Sequence, residues 1–487
     1  ESDAKAIYEA LQLYSQAPAD SEDANAIMSR IVNVMIPYSA KIIRRKACTA
    51  LISIGSKIPS AMVSHLPTIL GMIGDWTAKG MLSAHEVVLL MDWVSSLSNA
   101  MSADEQISFL NNLITPQVQL WHDELFREAT ASPVSLLAHA GVVPKISKKQ
   151  RKMLGANAAS SVYDPQLYAH LPGSVVPSDP MAAKTNRETI LNLLQSLEAV
   201  WRRVTNWNAR RKVDGEGTVV TAGKQAMSNL EKSQQVDSNP LSEFDLPLLV
   251  NLLRLVACLH QMRGEDMKDR YDESCAGAYE LSHHMVSQWL RTNVGGSGGG
   301  VGSGGGSGGA FGMMEEDMSN MMMMAMEEAA VVEESGGGFS ATSGAPSPIL
   351  DPTSPEMQPV WNSFFTNLRS HAYCLLGSIV SHQSPFWMDS ADLLDSFNGA
   401  LLIGLSDSHP YDLALLIRRV VVPAIKTAPP HAMEHLARLL HPLFLHAGSL
   451  VSQLYKSKAA REAAAIAAAA AQQRGGRGTG GGGGGWN

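Results

Sequence analysis

The sequence contains few cysteines and none in a spacing that would hold a metal. Its four cysteines are scattered over 487 residues without a CxxC pair, so we expect no disulfide framework or zinc site, and a reducing intracellular compartment. Long apolar runs are also missing, because charges interrupt "EVVLLMDWV" and "LALLIRRVVV" well before the roughly 20 residues that cross a bilayer. We therefore expect no membrane insertion.

A catalytic constellation is missing as well. The pair His283–His284 has no carboxylate or cysteine at metal-ligand spacing. Four further histidines crowd one region, and only the first two have i, i+4 spacing: His431, His435, His441 and His446. The glycine run near residue 300 matches GxGxxG, but neither a strand nor a helix pattern flanks it. We predict no catalytic residue, no metal and no cofactor, so an enzyme is the least favoured class.

The net charge of −8 is concentrated in one segment. Seven acidic residues lie between Glu315 and Glu334 in a low-complexity stretch, and the chain without them would carry −1. The remainder is close to neutral, so local basic patches say more about a possible nucleic-acid partner than the total does.

A recurring helical pattern fills most of the chain, whereas strand alternation is nearly absent. Predicted helices cover 24–36 up to Pro37, 36–55, 60–76 with Pro67 as a kink or a start, and 103–127 with a break at Pro116. A capping box, Ser83 to Glu86, opens a further helix. Helix pairs repeat at roughly 40 to 45 residues and cannot bury their faces alone, which predicts an all-α solenoid of roughly seven to nine HEAT-like antiparallel pairs.

Composition divides this array into six segments. Three carry HEAT-like repeats, at 1–140, 186–292 and 357–460. The others are a basic, Pro/Ser-rich loop at 141–185, a Gly/Ser/Met-rich insertion at 293–356 that we expect to be disordered, and an Ala/Gly-rich tail at 461–487. The chain begins at Glu1 instead of methionine, and we expect it to be a fragment of a longer protein.

The stretch "IPYSAKIIRRKACTALISIG", residues 36–55, forms a helix with two different faces. Its apolar stripe is Ile43, Ala47, Ala50, Leu51 and Ile54. Arg45, Thr49 and Ser56 lie almost opposite, so this helix buries one side and offers a cation and hydroxyls on the other. Arg44 lies nearer the edge of the stripe, where packing or an ion pair is expected.

Three basic patches could neutralise phosphates. They are Lys41 with Arg44 to Lys46, "KISKKQRK" at 145–152, and "WRRVTNWNARRK" at 201–212. For each patch a solvated face or loop is the simpler interpretation, and Trp201 lies on an apolar stripe that places it in the core.

At "RRKACTALISIGSKIP" and onward to "FLNNLITPQVQLW" the chain resembles the exportin-5 family of nuclear export receptors. The block "LLIRRVVVPAIKTAPPHAMEHLARLLHPLFLHAGSLVSQLY" is similar to the same family further along. The likeness covers about 31–130, 186–262 and 357–458. It implies a solenoid that binds double-stranded RNA hairpins with a 3′ overhang, chiefly microRNA precursors, together with Ran-GTP.

The resemblance also implies where RNA would bind. The family's contacts to the RNA end fall on Arg45 and Thr49, with a second group at Ser83 and Ala84. Ala84 replaces a glutamine of the family, and His85 could substitute for it. Arg44 and Lys46 are further candidates. Ran-GTP is expected to bind mainly through N-terminal repeats of the family that this chain does not match. Transfer RNA and nuclear pore proteins are further expected partners. The resemblance also implies that the protein shuttles between nucleus and cytoplasm.

The leading hypothesis is thus the RNA-cargo-binding part of an export receptor. The alternative is a HEAT-repeat protein-binding scaffold or import receptor whose basic residues make no direct contact with RNA.

Overall fold

The computed structural model describes residues 41–57, 59–145, 178–205, 240–271, 273–281, 356–381, 387 and 391–475. The side chains of Arg45 and Lys46 lie outside the described part, as do the predicted helix at 24–36, its stop at Pro37 and the pair His283–His284. The fold can be followed helix by helix over these ranges.

The described residues form mainly α-helices, and within each described range short turns separate them. The first group is α1 (Lys41–Lys57), α2 (Pro59–Val63), α3 (Leu66–Ala78), α4 (Ala84–Leu97), α5 (Ala103–Trp121), α6 (Glu124–Ala129) and α7 (Pro133–His139). The second is α8 (Pro180–Thr205), α9 (Ser242–Gln261), α10 (Glu265–Arg270), α11 (Met357–Ser381), α12 (Ala391–Leu402), α13 (Pro410–Leu416), α14 (Val422–Thr427) and α15 (Met433–Gly475). Across these residues, extended backbone pairs only in an isolated bridge between Pro144 and Tyr271, which confirms the all-α prediction.

The helices pack side by side in two layers. One layer runs α1, α4, α8, α11 and α14, each helix packed on the next. The other runs α5, α9, α12 and α15 in the same way, and α9 packs across the layers on α11. Because each helix contacts mainly its neighbours, the arrangement is an α-solenoid of the predicted HEAT-like type.

The apolar interior consists of two clusters. A small one joins α1 to α4 and includes Leu51, Trp93 and Leu97. A large one runs from α5 to α15, and Phe109 and Leu113 pack against both. Trp201 is fully buried, and its indole N–H donates to Asp245 Oδ1 at 2.8 Å, so its predicted place in the core is confirmed.

Prolines begin some helices and lie inside others. Pro67 lies at the start of α3, one of the two outcomes predicted for it, and Pro430 opens the turn that leads into α15. The predicted break at Pro116 is wrong, because α5 continues through it to Trp121. Ile114 and Trp121 are fully buried on either side, and their packing outweighs the roughly 3 kcal/mol that an interior proline costs.

Two helices extend beyond the segment boundaries that composition predicts. α8 begins at Pro180, inside the segment predicted as a loop, because Asp179 Oδ1 accepts from the amides of Met181 and Ala182 and caps the helix. α15 continues to Gly475, into the predicted tail, since its alanines are the strongest helix formers.

A π-helical turn, Ile417–Val421, joins α13 to α14 and lies over α11. Just before it, the buried Asp412 pairs with Arg263 and, at 3.5 Å, with Arg369 Nη1. Burial, followed by the charge of Arg369, lowers the pKa of the adjacent His260 to about 4, so this imidazole is neutral at physiological pH. The π turn thus directly follows α13, the helix that carries Asp412 between Arg263 and Arg369.

All four cysteines are free thiols, and Cys48, Cys258 and Cys275 are buried. None of the described helices is both long enough and apolar enough to cross a bilayer.

Gly377 in α11 packs closely against the backbone of the π turn. A Cβ atom there would collide with the backbone carbonyl of Arg419. We expect Gly377→Ala to lower the free energy of unfolding by about 1–3 kcal/mol through overpacking, measured by urea or thermal unfolding. Gly399→Ala in α12 is the matched control: apart from its chain neighbours and the backbone of its own helix, no atom lies within 4 Å of its added methyl, so it should raise stability by about 0.5–1 kcal/mol. Equal effects of the two substitutions would contradict this packing.

Candidate nucleic-acid interface

The helix α1 has the two faces that its sequence predicts. Ala47, Leu51 and Ile54 are buried, whereas Thr49 and Ser53 are exposed on the other side. The position of Arg45 precedes that of Thr49 by one helical turn. Thr49, a candidate RNA-contact residue, is therefore on the face of α1 opposite its buried stripe.

Arg44 ties this helix to the start of α4. Its Nε donates to Glu86 Oε1 at 2.9 Å, and its Nη2 lies 3.5 Å from Glu86 Oε2. The side chain of Arg44 is 15% exposed and that of Glu86 is fully buried. The ion pair expected for Arg44 is thus present.

The predicted capping box at the N-terminus of α4 is confirmed. The amide of Ser83 donates to Glu86 Oε2 at 2.7 Å, and the Ser83 hydroxyl both donates to that oxygen at 2.9 Å and accepts from the Glu86 amide. Burial alone would raise the pKa of Glu86, but the hydrogen bonds from Ser83 and Arg44 outweigh it and lower the pKa. The carboxylate stays charged and holds Ser83 in place beside α1.

Cys48 lies next to this carboxylate and is not reactive. Burial, and then the charge of Glu86, raises the pKa of its thiol to about 12. A thiol with such a pKa does not supply a thiolate nucleophile at neutral pH.

The predicted contact positions therefore occupy neighbouring helices. Thr49 is exposed on α1, and Ser83 and Ala84 lie at the start of α4, which packs directly on α1. His85 is half-buried beside them. The pair of Arg44 with Glu86 makes Arg44 a residue that positions these helices; its contact with RNA, like those of Arg45 and Lys46, stays a prediction.

The other two basic patches are only partly within the described residues. Lys145 is exposed, and 146–152 and 206–212 lie outside. Arg202 and Arg203, at the end of α8, both contact Asp92 of α4. Sequence reasoning missed Asp92 as their partner, because nothing local in the sequence links residues about a hundred positions apart.

A second buried carboxylate, Glu198, joins α8 to α11. Its Oε2 lies 3.3 Å from His371 Nδ1, and its Oε1 lies 3.5 Å from Arg202 Nη1. Burial would raise the pKa of Glu198, but the charges of Arg202 and His371 outweigh it and lower the pKa to about 2. Glu86, Asp92 and Glu198 thus form a series of buried carboxylates that contact basic side chains across α1, α4, α8 and α11, which we call the layer ladder.

Two histidines of the C-terminal region make structural contacts. His431 Nε2 lies 2.8 Å from the carbonyl of Trp387, and His435 Nδ1 lies 3.4 Å from Asp395. Within the part of the chain that the structure describes, no three potential ligands cluster as a metal site would need.

The low pKa of Glu198 predicts acid sensitivity. An unfolded glutamate has a pKa of about 4.3, so the stabilisation is fully present above that pH and is lost as the pH falls towards about 2. We expect Glu198→Gln to flatten the decline of unfolding free energy between about pH 4.5 and 2, measured by denaturant unfolding. Glu434→Gln, at an exposed i, i+4 pair with Arg438, is the control and should leave that slope unchanged.

Comparison with known proteins adds one result. No curated protein matches the chain. The family model of the exportin-5 family matches residues 33–290, which is just over half of the chain and includes α1, α4 and α8. The similarity noted for 357–458 lies outside the matched range and stays a prediction. On the extent of this match, the chain belongs to the exportin-5 family.

Proposed function

We propose that the chain is the RNA-cargo-binding part of a nuclear export receptor. Its family consists of transport receptors and not of enzymes. The cargo we propose is a double-stranded RNA hairpin with a short 3′ overhang, such as a microRNA precursor. The observation that carries this is the exposure of Thr49 on α1, next to the capped start of α4.

Each residue of this face has a distinct role in the proposal. Arg45 would give forked, charge-assisted hydrogen bonds to a phosphate. Thr49 would offer its hydroxyl to a phosphate or a sugar, and Ser83 lies at the N-terminus of α4, where the helix dipole favours an anion. Lys46 would add charge nearby. His85 would take the place of the glutamine that Ala84 replaces.

Arg44 acts differently from Arg45 in this scheme. Its guanidinium lies against the buried Glu86, so it holds α1 and α4 at a fixed spacing. We call Arg45, Thr49 and Ser83 the end site. The relative position of its residues would then depend on Arg44, while its affinity for RNA would depend on Arg45.

Transport would couple to the nucleotide state of Ran. We propose that Ran-GTP binds together with the RNA, mainly through N-terminal repeats outside this chain, and that GTP hydrolysis on Ran releases the cargo in the cytoplasm. Transfer RNA and nuclear pore proteins are further proposed partners. The receptor would shuttle between nucleus and cytoplasm, as its family membership suggests.

A protein-binding scaffold or import receptor is the second candidate. It is favoured by the finding that Arg44, Arg202 and Arg203 all pair with carboxylates of neighbouring helices. Under this alternative the basic residues stabilise the array and no RNA binds.

Substitution of Arg45 and Arg44 distinguishes the two candidates. Glutamine is preferable to glutamate at position 44, since a glutamate there would face the buried Glu86. We expect Arg45→Gln to weaken hairpin binding by roughly tenfold and to flatten the slope of log K against log salt by about 0.7 to 0.9. Titrations at several salt concentrations measure both.

Arg44→Gln is the matched comparison. It leaves Glu86 buried with fewer partners, so it should lower the free energy of unfolding by about 1–3 kcal/mol and change the salt slope less than Arg45→Gln does. Circular dichroism checks that both proteins stay helical. Equal salt slopes in the two variants, or hairpin affinity that Ran-GTP does not alter in the full-length receptor, would count against the export proposal.

A further inference from the structure

The helix α15 carries two apolar stripes on different sides. The first faces the core, and its residues Leu436, Leu439 and Leu443 are at most 2% exposed. The second recurs every three or four residues, roughly 90° away around the helix. We call it the outer stripe, and it consists of Met433, Ala437, Leu440, Phe444, Ala447 and Val451. Such spacing is typical of a helix that packs along its length against another helix.

The outer stripe is open to solvent, unlike the core stripe. The side chains of Met433, Phe444 and Val451 are 44%, 57% and 51% exposed, and Ala437 is exposed as well. From its first residue to its last the stripe covers 18 positions, which is about 27 Å of helix. Single exposed apolar residues are common on protein surfaces, but a continuous apolar face of this length marks a binding surface.

One segment outside the described residues has a sequence that matches this face. Residues 313–334, "MMEEDMSNMMMMAMEEAAVVEE", contain no glycine and no proline, and methionine, glutamate and alanine are strong helix formers. None of the seven acidic residues lies within the apolar stripe that a helical wheel predicts. That stripe also covers 18 positions and consists of Met314, Met318, Met321, Ala325, Ala329 and Val332. The sequence therefore predicts an amphipathic helix with an apolar face as long as the outer stripe.

We propose that the outer stripe of α15 binds residues 313–334 of the same chain, which dock on it as an amphipathic helix. Most of the stability of a helix comes from packing of its apolar face, so this helix would form on docking. Composition predicts disorder only for the Gly/Ser stretches around it. Methionine side chains are flexible and polarisable, and they fit an apolar surface without exact shape complementarity. The inference does not depend on the proposed RNA function.

Charge favours this occupant over a second copy of the chain. The segment carries seven acidic residues and no basic one, a formal charge of −7. From Met433 to Lys456, α15 carries Arg438 and Lys456 against Glu434, and both cations are exposed. Opposite charges attract over a Debye length of about 8–10 Å. Two copies of α15 would bring surfaces of equal charge together and would gain no such attraction.

The segment is tethered within reach of the outer stripe. The described residues stop at Leu281 and resume at Glu356, and these points are close together because the side-chain amide of Asn362 donates to the carbonyl of Glu280. Tethers of 31 and 21 residues join the segment to these points. From α11 to α15 by way of α9 and α12 there are three helix spacings, about 24–30 Å. Flexible tethers of these lengths have r.m.s. spans of about 23–33 Å, so docking within the chain is geometrically feasible.

Methionine oxidation tests this docking in the whole chain. Hydrogen peroxide converts accessible methionines to the sulfoxide, and mass spectrometry locates each oxidised residue. Met318 and Met321 lie on the docking stripe, whereas Met323 lies on the opposite side of the same helix. With an effective concentration of about 1 mM and a dissociation constant of roughly 0.1 mM, we expect Met318 and Met321 to oxidise roughly tenfold more slowly than Met323.

A matched pair of substitutions on α15 identifies the binding surface. Phe444→Gln removes the largest side chain of the outer stripe, and it should reduce the protection to about twofold, because losing one large apolar contact weakens docking roughly tenfold. Leu445→Gln is the control: Leu445 is 63% exposed but lies about 100° away from Phe444 around the helix, so the protection should remain.

The segment allows a second matched pair. Met321→Glu places a charge on the docking stripe and should remove the protection of Met318. Met323→Glu, on the opposite side of the same helix, should leave that protection unchanged.

Three results would overturn the proposal. One is equal oxidation of Met318, Met321 and Met323 in the unsubstituted chain, which would leave the outer stripe to a separate protein. Another is equal protection of Met318 in the Phe444→Gln and Leu445→Gln proteins, because the segment would then dock elsewhere. The last is a sedimentation mass of two chains that falls to one in Phe444→Gln, which would assign the outer stripe to a second copy.

Discussion

The layer ladder is the interaction on which the arrangement of the first layer depends. Each of its three carboxylates is buried, and each contacts a basic side chain of a neighbouring helix: Arg44, Arg203 and His371. A buried charge without a partner is far more costly than a missing apolar contact. Neighbouring helices must therefore meet at one axial offset, and α1, α4, α8 and α11 are placed relative to one another residue by residue.

Apolar packing alone would not define that offset as tightly. Hydrophobic cores tolerate many combinations of side chains of similar total volume, so apolar contacts specify a position less sharply than a buried charge does. The contact of Arg44 with Glu86 lies between α1 and α4, and the contact of Arg203 with Asp92 lies between α4 and α8. Their separation along α4 is kept because Glu86 and Asp92 belong to the same helix and each binds a different neighbour.

Local features could be predicted from the sequence, and distant pairings could not. The faces of α1 and the capping box at Ser83 involve residues three or four positions apart, so a helical wheel is enough to find them. Arg44 and Glu86 are 42 positions apart, and Arg203 and Asp92 are 111 positions apart. Because these residues lie on different helices, the carboxylate that each arginine contacts depends on how the helices pack. The continuation of α5 through Pro116 also depends on distant contacts, because the burial of Trp121 stabilises the helix beyond the proline.

The π turn also restricts how the sequence of this segment can change in length. A π turn amounts to one extra residue within an otherwise α-helical stretch. Deleting a residue between Ile417 and Val421 would restore ordinary helical hydrogen bonds, but it would also rotate α13 by about 100° relative to α14. Asp412 would then leave the space between Arg263 and Arg369. Substitutions within the turn are thus tolerated more easily than the loss of a single residue.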